Sequence, residues 1–335
     1  MEISQTSPPL PWNYDYWQEI GCDGWSYDEV SPFFEKTETW TGKKTKGRGT
    51  DGPLSVSPAK SNDPLFDAWM MAAQSCGYNL IDDYNALSSD EILSGFARSQ
   101  QTIGGGFRAT AWSSYLKPQL ERHNLHILVD THVTRLKFTK HRAESIGMIC
   151  NRTQKQISLK INDKLILSAG AFHTPHLLLQ SGIGPESVLK RANIPVFINA
   201  TGVGRGYRDH VAVQLNFQRR GKGPFHHDMR VDRVVRNFPR AAIFGTGPAS
   251  RLPGAMHGFV KLKPAAKVPD IQFLFRGAPN NAAPWWPMIS EGYEDGFGIR
   301  PVLLHPTSRG SVEPISNNPL MPPRIAGNYL STTED

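Results

Sequence analysis

The chain has 335 residues, 39% hydrophobic and 20% charged, which is enough for two domains and a substantial core. Its formal charge of +7 is thinly spread, densest at Lys43–Lys46 and Arg219–Arg220, and no basic run interleaves with aromatics, so nucleic acid is excluded as the expected partner. No apolar run approaches the ~18 residues of a membrane helix, and Cys22, Cys76 and Cys150 lie far apart without metal-ligand spacing, so neither a spanning segment nor a cysteine metal site is expected.

The first residues, MEISQTSPPLPW, lack the basic and apolar regions of a signal peptide. Trp12, Trp17 and Ile20, then Val30, Phe33 and Phe34, recur at helical spacing and predict two helices, the second capped by Ser26 or Asp28. Asn62-Asp63-Pro64 opens another helix through Leu65, Trp69 and Ala73, closed by Gly77. Residues 107–122 predict a further helix with Ala111, Tyr115 and Leu120 facing inwards. A β-meander follows at His126–Asp130, Thr134–Phe138, Gly147–Asn151, Ile157–Ile161 and Leu165–Ser168. The three cysteines are expected to be buried thiols.

The most informative stretch comes next. Leu165–Ala169 has the apolar run of a buried strand, and Gly170 and Ala171 remove side-chain bulk where it ends. Thr174 suits a helix N-cap, Pro175 the first helical position and Gly182 the C-cap, with Leu177, Leu178 and Leu179 forming the apolar face. After residue 210 the texture changes: Val211–Arg219, Gly258–Lys263, Asp270–Phe275 and Ile299–His305 alternate at strand period, predicting an antiparallel sheet. Residues 221–256 and 277–298, rich in Gly, Pro and Asn, are expected to be long loops. His226-His227-Asp228 falls in the first of these; neighbours on an extended chain point to opposite faces, so a shared metal ion is not expected. Trp285-Trp286, in the second, is expected to cap the sheet, with a substrate funnel as the competing reading.

Gly170–Gly184, GAFHTPHLLLQSGIG, resembles the second signature of the glucose–methanol–choline (GMC) oxidoreductases, which are FAD enzymes. Other blocks resemble the same family in family order, among them Asp83–Asn85 (DYN), Gly106–Leu116 (GFRATAWSSYL), Gly202–His210 (GVGRGYRDH), Ser308–Gly310 (SRG) and Asn328–Ser331 (NYLS). The likeness spans nearly the whole chain and is nearest to the insect glucose-dehydrogenase-like branch. It implies an α/β (α+β) fold. Residues 1–210 would be a partial, Rossmann-like FAD-binding domain with a helical excursion, and 211–335 an antiparallel-sheet substrate-binding domain truncated at its C-terminal end. The implied activity is oxidation of a primary alcohol or sugar, hydride passing to FAD and then to an acceptor such as a quinone; glucose or a related polyol is the first candidate and a steroid alcohol the second.

The same resemblance marks four cofactor-binding candidates. Gly170 and Ala171 form the signature turn. Val133 matches a position where relatives contact the adenine through the backbone, and a plain strand valine is the other reading. Arg108 matches a basic position near the flavin or its phosphates, and a surface arginine is the other reading. Asp209-His210 is expected in a structural turn, although Arg205-Gly206-Tyr207 departs from the family's Asn-Leu. Two functional parts are missing. A GxGxxG unit with a downstream acid is absent, since Ile103–Phe107, Gly182–Gly184 and Gly202–Gly206 lack the required context. The family's fingerprint would precede Met1 and its catalytic histidine would follow Asp335, so no catalytic residue is named. The chain by itself is therefore expected neither to hold FAD tightly nor to turn over substrate, and to expose apolar edges around Leu165–Leu167. Two further readings are a non-catalytic paralogue serving as a binding or scaffold protein, and a self-sufficient enzyme with a site in residues 200–335.

Overall fold

The computed structural model describes residues 11–86, 94–140, 142–250, 253–254, 256–263 and 266–335. The fold is mixed α/β with antiparallel sheets. Contacts divide it into two compact units, each assembled from two chain segments: 1–122 with 212–304, and 123–211 with 305–335. The sequence pattern, by contrast, divides the chain once, near 210.

The first unit is built on an antiparallel sheet in which Gly95–Arg98, Met256–Val260, Ile271–Arg276, Gly296–Leu303 and Leu215–Gln218 follow one another. The three later strands lie where alternation placed them, within a few residues. Helix Pro64–Ser75 packs on this sheet through Phe66 and Ala73, which join Phe96, Met256, Val260 and Phe275 in one core. Its cap is as expected: Asp63 accepts from the Leu65 N–H at 3.0 Å, and Gly77 leaves the helix at φ +83°. At the other capped helix, Tyr27–Thr37, the Glu29 carboxylate accepts from both the N–H and the hydroxyl of Ser26, at 3.0 and 2.7 Å.

A buried polar network lies beside the sheet. Arg48, its side chain 2% exposed, donates to Asp83 at 2.8 and 3.0 Å, to Gln100 at 2.7 Å and to Glu38 at 2.8 Å, and stacks 3.9 Å above the Trp40 ring. Gln100 in turn donates to Asp83 and accepts from Asn85. The DYN block is thus the loop that presents acceptors to a buried guanidinium.

In the second unit, Thr131–Thr139, Arg142–Cys150 and Gln156–Lys160 form an antiparallel meander, and Leu179, Val188, Leu189, Ala192 and Ile194 form a separate core. A third sheet pairs Arg205–Tyr207, Gly310–Glu313 and Arg324–Ala326.

Several expectations are corrected. Residues 107–122 do not form one inward-facing helix: Phe107–Arg108 pairs with Ile103–Gly104, a π-helical turn spans Trp112–Leu116, and a 3-10 turn spans Lys117–Gln119. Thr110 and Ser113 bond each other reciprocally and start the helix there, while Pro118 withholds the N–H needed to continue it. Tyr115 and Leu120 are exposed. His126–Asp130 is not a strand, and Asp130 turns at φ +52°. Leu165–Ser168 is neither a strand nor buried; Ile166 is 83% exposed, which leaves an apolar edge where one was expected. Residues 221–256 are not a loop but hold helices Pro224–Asp228 and Val231–Phe244, the first opened by its proline. Cys22 and Cys76 are exposed rather than buried, and Cys150 is half-buried.

Arg48→Met is expected to destabilise the protein by about 3–5 kcal/mol in urea denaturation, because it strands the buried Asp83 carboxylate and the partly buried Glu38. Lys43→Met, which breaks an exposed pair with Asp82, should stay within the ~0–1 kcal/mol of a surface ion pair. A second test concerns His257, on the sheet and 1% exposed, whose pKa burial pushes down to about 4. The folded state resists the proton that the unfolded chain accepts near 6.5, so stability is full above that pH and declines from there down to about 4. The loss attributable to His257 is about 3 kcal/mol, and His257→Gln should flatten the pH dependence of the unfolding midpoint.

Candidate functional site

The second unit brings the signature helix against the first meander strand. Helix Gly170–Gln180 begins earlier than expected. Gly170 turns at φ +83° and admits the chain directly into the helix, so Pro175 lies inside it. Thr174 does not cap a helix at its own position. Its hydroxyl instead accepts from the Ala169 N–H at 3.1 Å and ties down the turn before Gly170. At the other end Ser181, one residue before the expected Gly182, is the C-cap, and Gly182 follows at φ +83° with its N–H on the Leu179 carbonyl at 2.9 Å. The Ser181 hydroxyl donates to Leu177 and accepts from the Leu136 N–H at 2.9 Å, which pins Thr131–Thr139 alongside.

Between strand and helix lies a cavity of about 250 Å³. Val133, Ala169, Leu177 and Pro319 give it apolar walls; Thr131, Thr134, His173, His176 and Gln180 add polar groups. Thr131–Thr139 is an edge strand, and its pairing shifts register between Val133 and Arg135, a bulge at the cavity. Gln180 is 2% exposed. Its amide nitrogen donates to the Ser316 carbonyl at 2.9 Å and lies 3.3 Å from His176 Nε2. A carbonyl can only accept, so the amide orientation is set, and His176 Nε2 must be the unprotonated ring nitrogen. Burial, with His173 and His132 adding to it, holds His176 below the usual imidazole range, consistent with that neutral tautomer. Gln180 Oε1 is buried without a donor. The apolar walls suit a flat, apolar group.

The structure therefore places Val133 in the same cavity as Ala169, directly before Gly170 and Ala171. Arg108 lies in the other unit, exposed on a two-residue strand. His176 and Gln180 escaped the sequence analysis. Their signal was present: His173, His176 and Gln180 are spaced i, i+3 and i+7 on one helical face. Asp209 and His210 lie in an irregular stretch rather than the expected turn, with Asp209 accepting from Tyr207 at 3.0 Å, Tyr329 at 3.3 Å and the His210 N–H at 2.8 Å. This joins the GVGRGYRDH and NYLS blocks. His226 is fully buried in a helix, against Trp285 and Tyr293, so Trp285 packs on that helix rather than capping the sheet; Trp286 is exposed. Among the described residues no group of three or more His, Cys, Asp or Glu converges as a metal site, and no helix is long and apolar enough to cross a membrane.

The family model for GMC oxidoreductases matches residues 10–212. The chain belongs to the GMC oxidoreductase family. Over 323 residues it is 31% identical to oxygen-dependent choline dehydrogenase of Brucella canis, covering 96% of this chain and 57% of that protein. It is 33% identical over 324 residues to the mitochondrial choline dehydrogenase of Homo sapiens, covering 96% of this chain and 53% of the relative. The chain thus spans a little over half the length of these relatives. A formate oxidase crystal structure superposes with a TM-score of 0.84 at 21% identity over 99% of this chain and 62% of the other. Pyridoxine 4-oxidase from Mesorbium loti superposes with a TM-score of 0.79 at 24% identity, covering 99% and 60%. These structures share the GMC fold.

Both turn glycines are testable. Gly170→Ala is expected to cost about 1–2 kcal/mol, the penalty of a left-handed L-residue. Gly182→Ala should cost more, since its Cβ would also lie 2.5 Å from the Pro195 carbonyl oxygen. Chemical denaturation of the two variants checks that order.

Proposed function

We propose that this chain is the middle portion of an FAD-dependent oxidoreductase acting on CH–OH groups. The family match over residues 10–212 carries the reading. The signature cavity supports it, because its apolar walls, with the unpaired Gln180 oxygen buried beside them, suit the flat adenine end of the dinucleotide. In this reading the open edge at Val133 offers backbone groups to the adenine, and Gln180 Oε1 accepts from its amine. His176 stays neutral and holds Gln180 in place. The turn at Gly170 and Ala171 presents backbone N–H groups to the phosphate side, and Arg108 is the cation assigned to the phosphates or flavin. FAD, when bound, supplies the hydride acceptor.

The pyrophosphate-binding first turn and the histidine that takes the hydroxyl proton belong, in this proposal, to family segments that the chain does not span. The division of labour implied by the family gives 1–210 to the cofactor and 211–335 to the substrate. The donor is a primary alcohol or sugar, with a glucose-like polyol first and a quinone as the acceptor. Relatives named for choline and pyridoxine support a small hydroxyl-bearing donor.

The expected outcome is a clear split between two preparations. Residues 1–335 alone, after desalting, should show no flavin absorbance and no alcohol-dependent dye reduction. The protein extended to family length should be yellow and reduce dye, and Gln180→Leu in it should lower flavin retention on dialysis. A colourless extended protein overturns the cofactor. A stable yellow 335-residue protein that reduces dye overturns the placement of the active site.

A further inference from the structure

A larger cavity, of about 550 Å³, lies within the unit built from residues 1–122 and 212–304. It opens where helix Pro64–Ser75 begins, beside helices Pro224–Asp228 and Val231–Phe244. Its volume is that of a small-molecule site. One of its ion pairs is already neutralised: Arg219 grips the Asp63 carboxylate through both Nη atoms, at 2.6 and 2.9 Å. Asp63 is further occupied by the Leu65 N–H. What remains on the lining is cationic. Lys60, Lys222 and Arg233 stand against one more carboxylate, Asp228, which is itself already partnered. Lys222 donates to the Glu291 carbonyl at 3.0 Å and lies 5.5 Å from the Trp285 ring centre, and no carboxylate of a described residue pairs with it. Arg233 is half-buried and makes no ion pair with a described residue.

Apolar surface adjoins these cations. Phe66 and Phe225 line the same cavity, and Gly277 keeps it open: a Cβ there would lie 3.2 Å from the Phe66 ring and 3.3 Å from the Pro253 carbonyl. A half-buried guanidinium without a counter-charge gains most from a charge-assisted hydrogen bond to an anion, and its planar fork matches carboxylate or phosphate. We propose that this cavity binds a small ligand with a carboxylate or phosphate head and an apolar body. Arg233 and Lys222 take the head, and Phe66 and Phe225 take the body. The site is additional to the flavin reading and does not rest on it.

Calorimetric titration of the 335-residue protein tests this with phenyl phosphate, benzoate, inorganic phosphate and the neutral benzamide. Saturable one-site binding of phenyl phosphate or benzoate is expected, with benzamide silent; either preference supports the site and names its head group. Arg233→Gln should weaken binding roughly tenfold, the worth of one charged hydrogen bond. Arg236→Gln, on the same helix but off the lining, should leave binding unchanged. Gly277→Val should remove phenyl phosphate binding while sparing inorganic phosphate. Equal losses in the two arginine variants, binding of benzamide, or no saturable binding of any probe would overturn the proposal.

Discussion

The first unit depends on one buried cation. Arg48 is reached by Glu38 at the end of a helix, by Asp83 in a loop and by Gln100 in a strand, three segments that share no local contact in sequence. A guanidinium has five N–H donors in a fixed plane, so satisfying it underground fixes the relative placement of all three. Such a group is costly to bury and more costly to leave half-paired. Its contribution is to make alternative packings of these segments expensive, while the apolar core around Phe66 and Phe275 supplies the driving force.

The second unit solves a similar problem with the signs reversed. Glu313, on the strand Gly310–Glu313, is 6% exposed and receives Arg191, Arg205 and Arg324, at 3.0, 2.9 and 2.7 Å. One carboxylate there links a helix and two neighbouring strands. The arginine side chains are 45–66% exposed, so each pair is individually weak, but the buried acceptor they share is not free to move. In both units a single buried charge, placed by apolar packing, organises polar segments drawn from different parts of the chain.

What was legible in the sequence follows from where the physics is local. Asp63 before Pro64, Ser26 before Glu29 and Gly182 after three leucines each bond within a few residues, and all three behave as their chemistry suggests. Alternation located the strands at Met256–Val260, Ile271–Arg276 and Gly296–Leu303, and burial itself alternates along Gly296–Leu303, whereas Met256–Val260 is buried on both faces. Leu165–Ser168 misled because an apolar run becomes a strand only when a neighbour pairs with it. Residues 221–256 misled because proline content was read as loop, whereas Pro224 opens a helix. For the candidate cavity, the resemblance named Val133, which lines it, while Gln180 was legible only as a spacing with His173 and His176. Its importance lies in an oxygen left without a donor, and sequence does not show which partners a side chain fails to find.

The pairing of Gly95–Arg98 with Met256–Val260 has a consequence for biosynthesis. Ala97 and His257 are register partners roughly 160 residues apart. At ~5–20 residues per second, the ribosome delivers the second strand roughly ten to thirty seconds after the first. Throughout that interval Phe96 and Ala97, both destined for burial, have no sheet to join. The meander of the other unit, whose strands are sequence neighbours, is complete well before then. Folding on the ribosome is therefore staggered: the meander can close first, while the strand Gly95–Arg98 waits open for its partner. Loop closure on that scale favours slow folding and gives chaperones a long window on an unpaired strand edge.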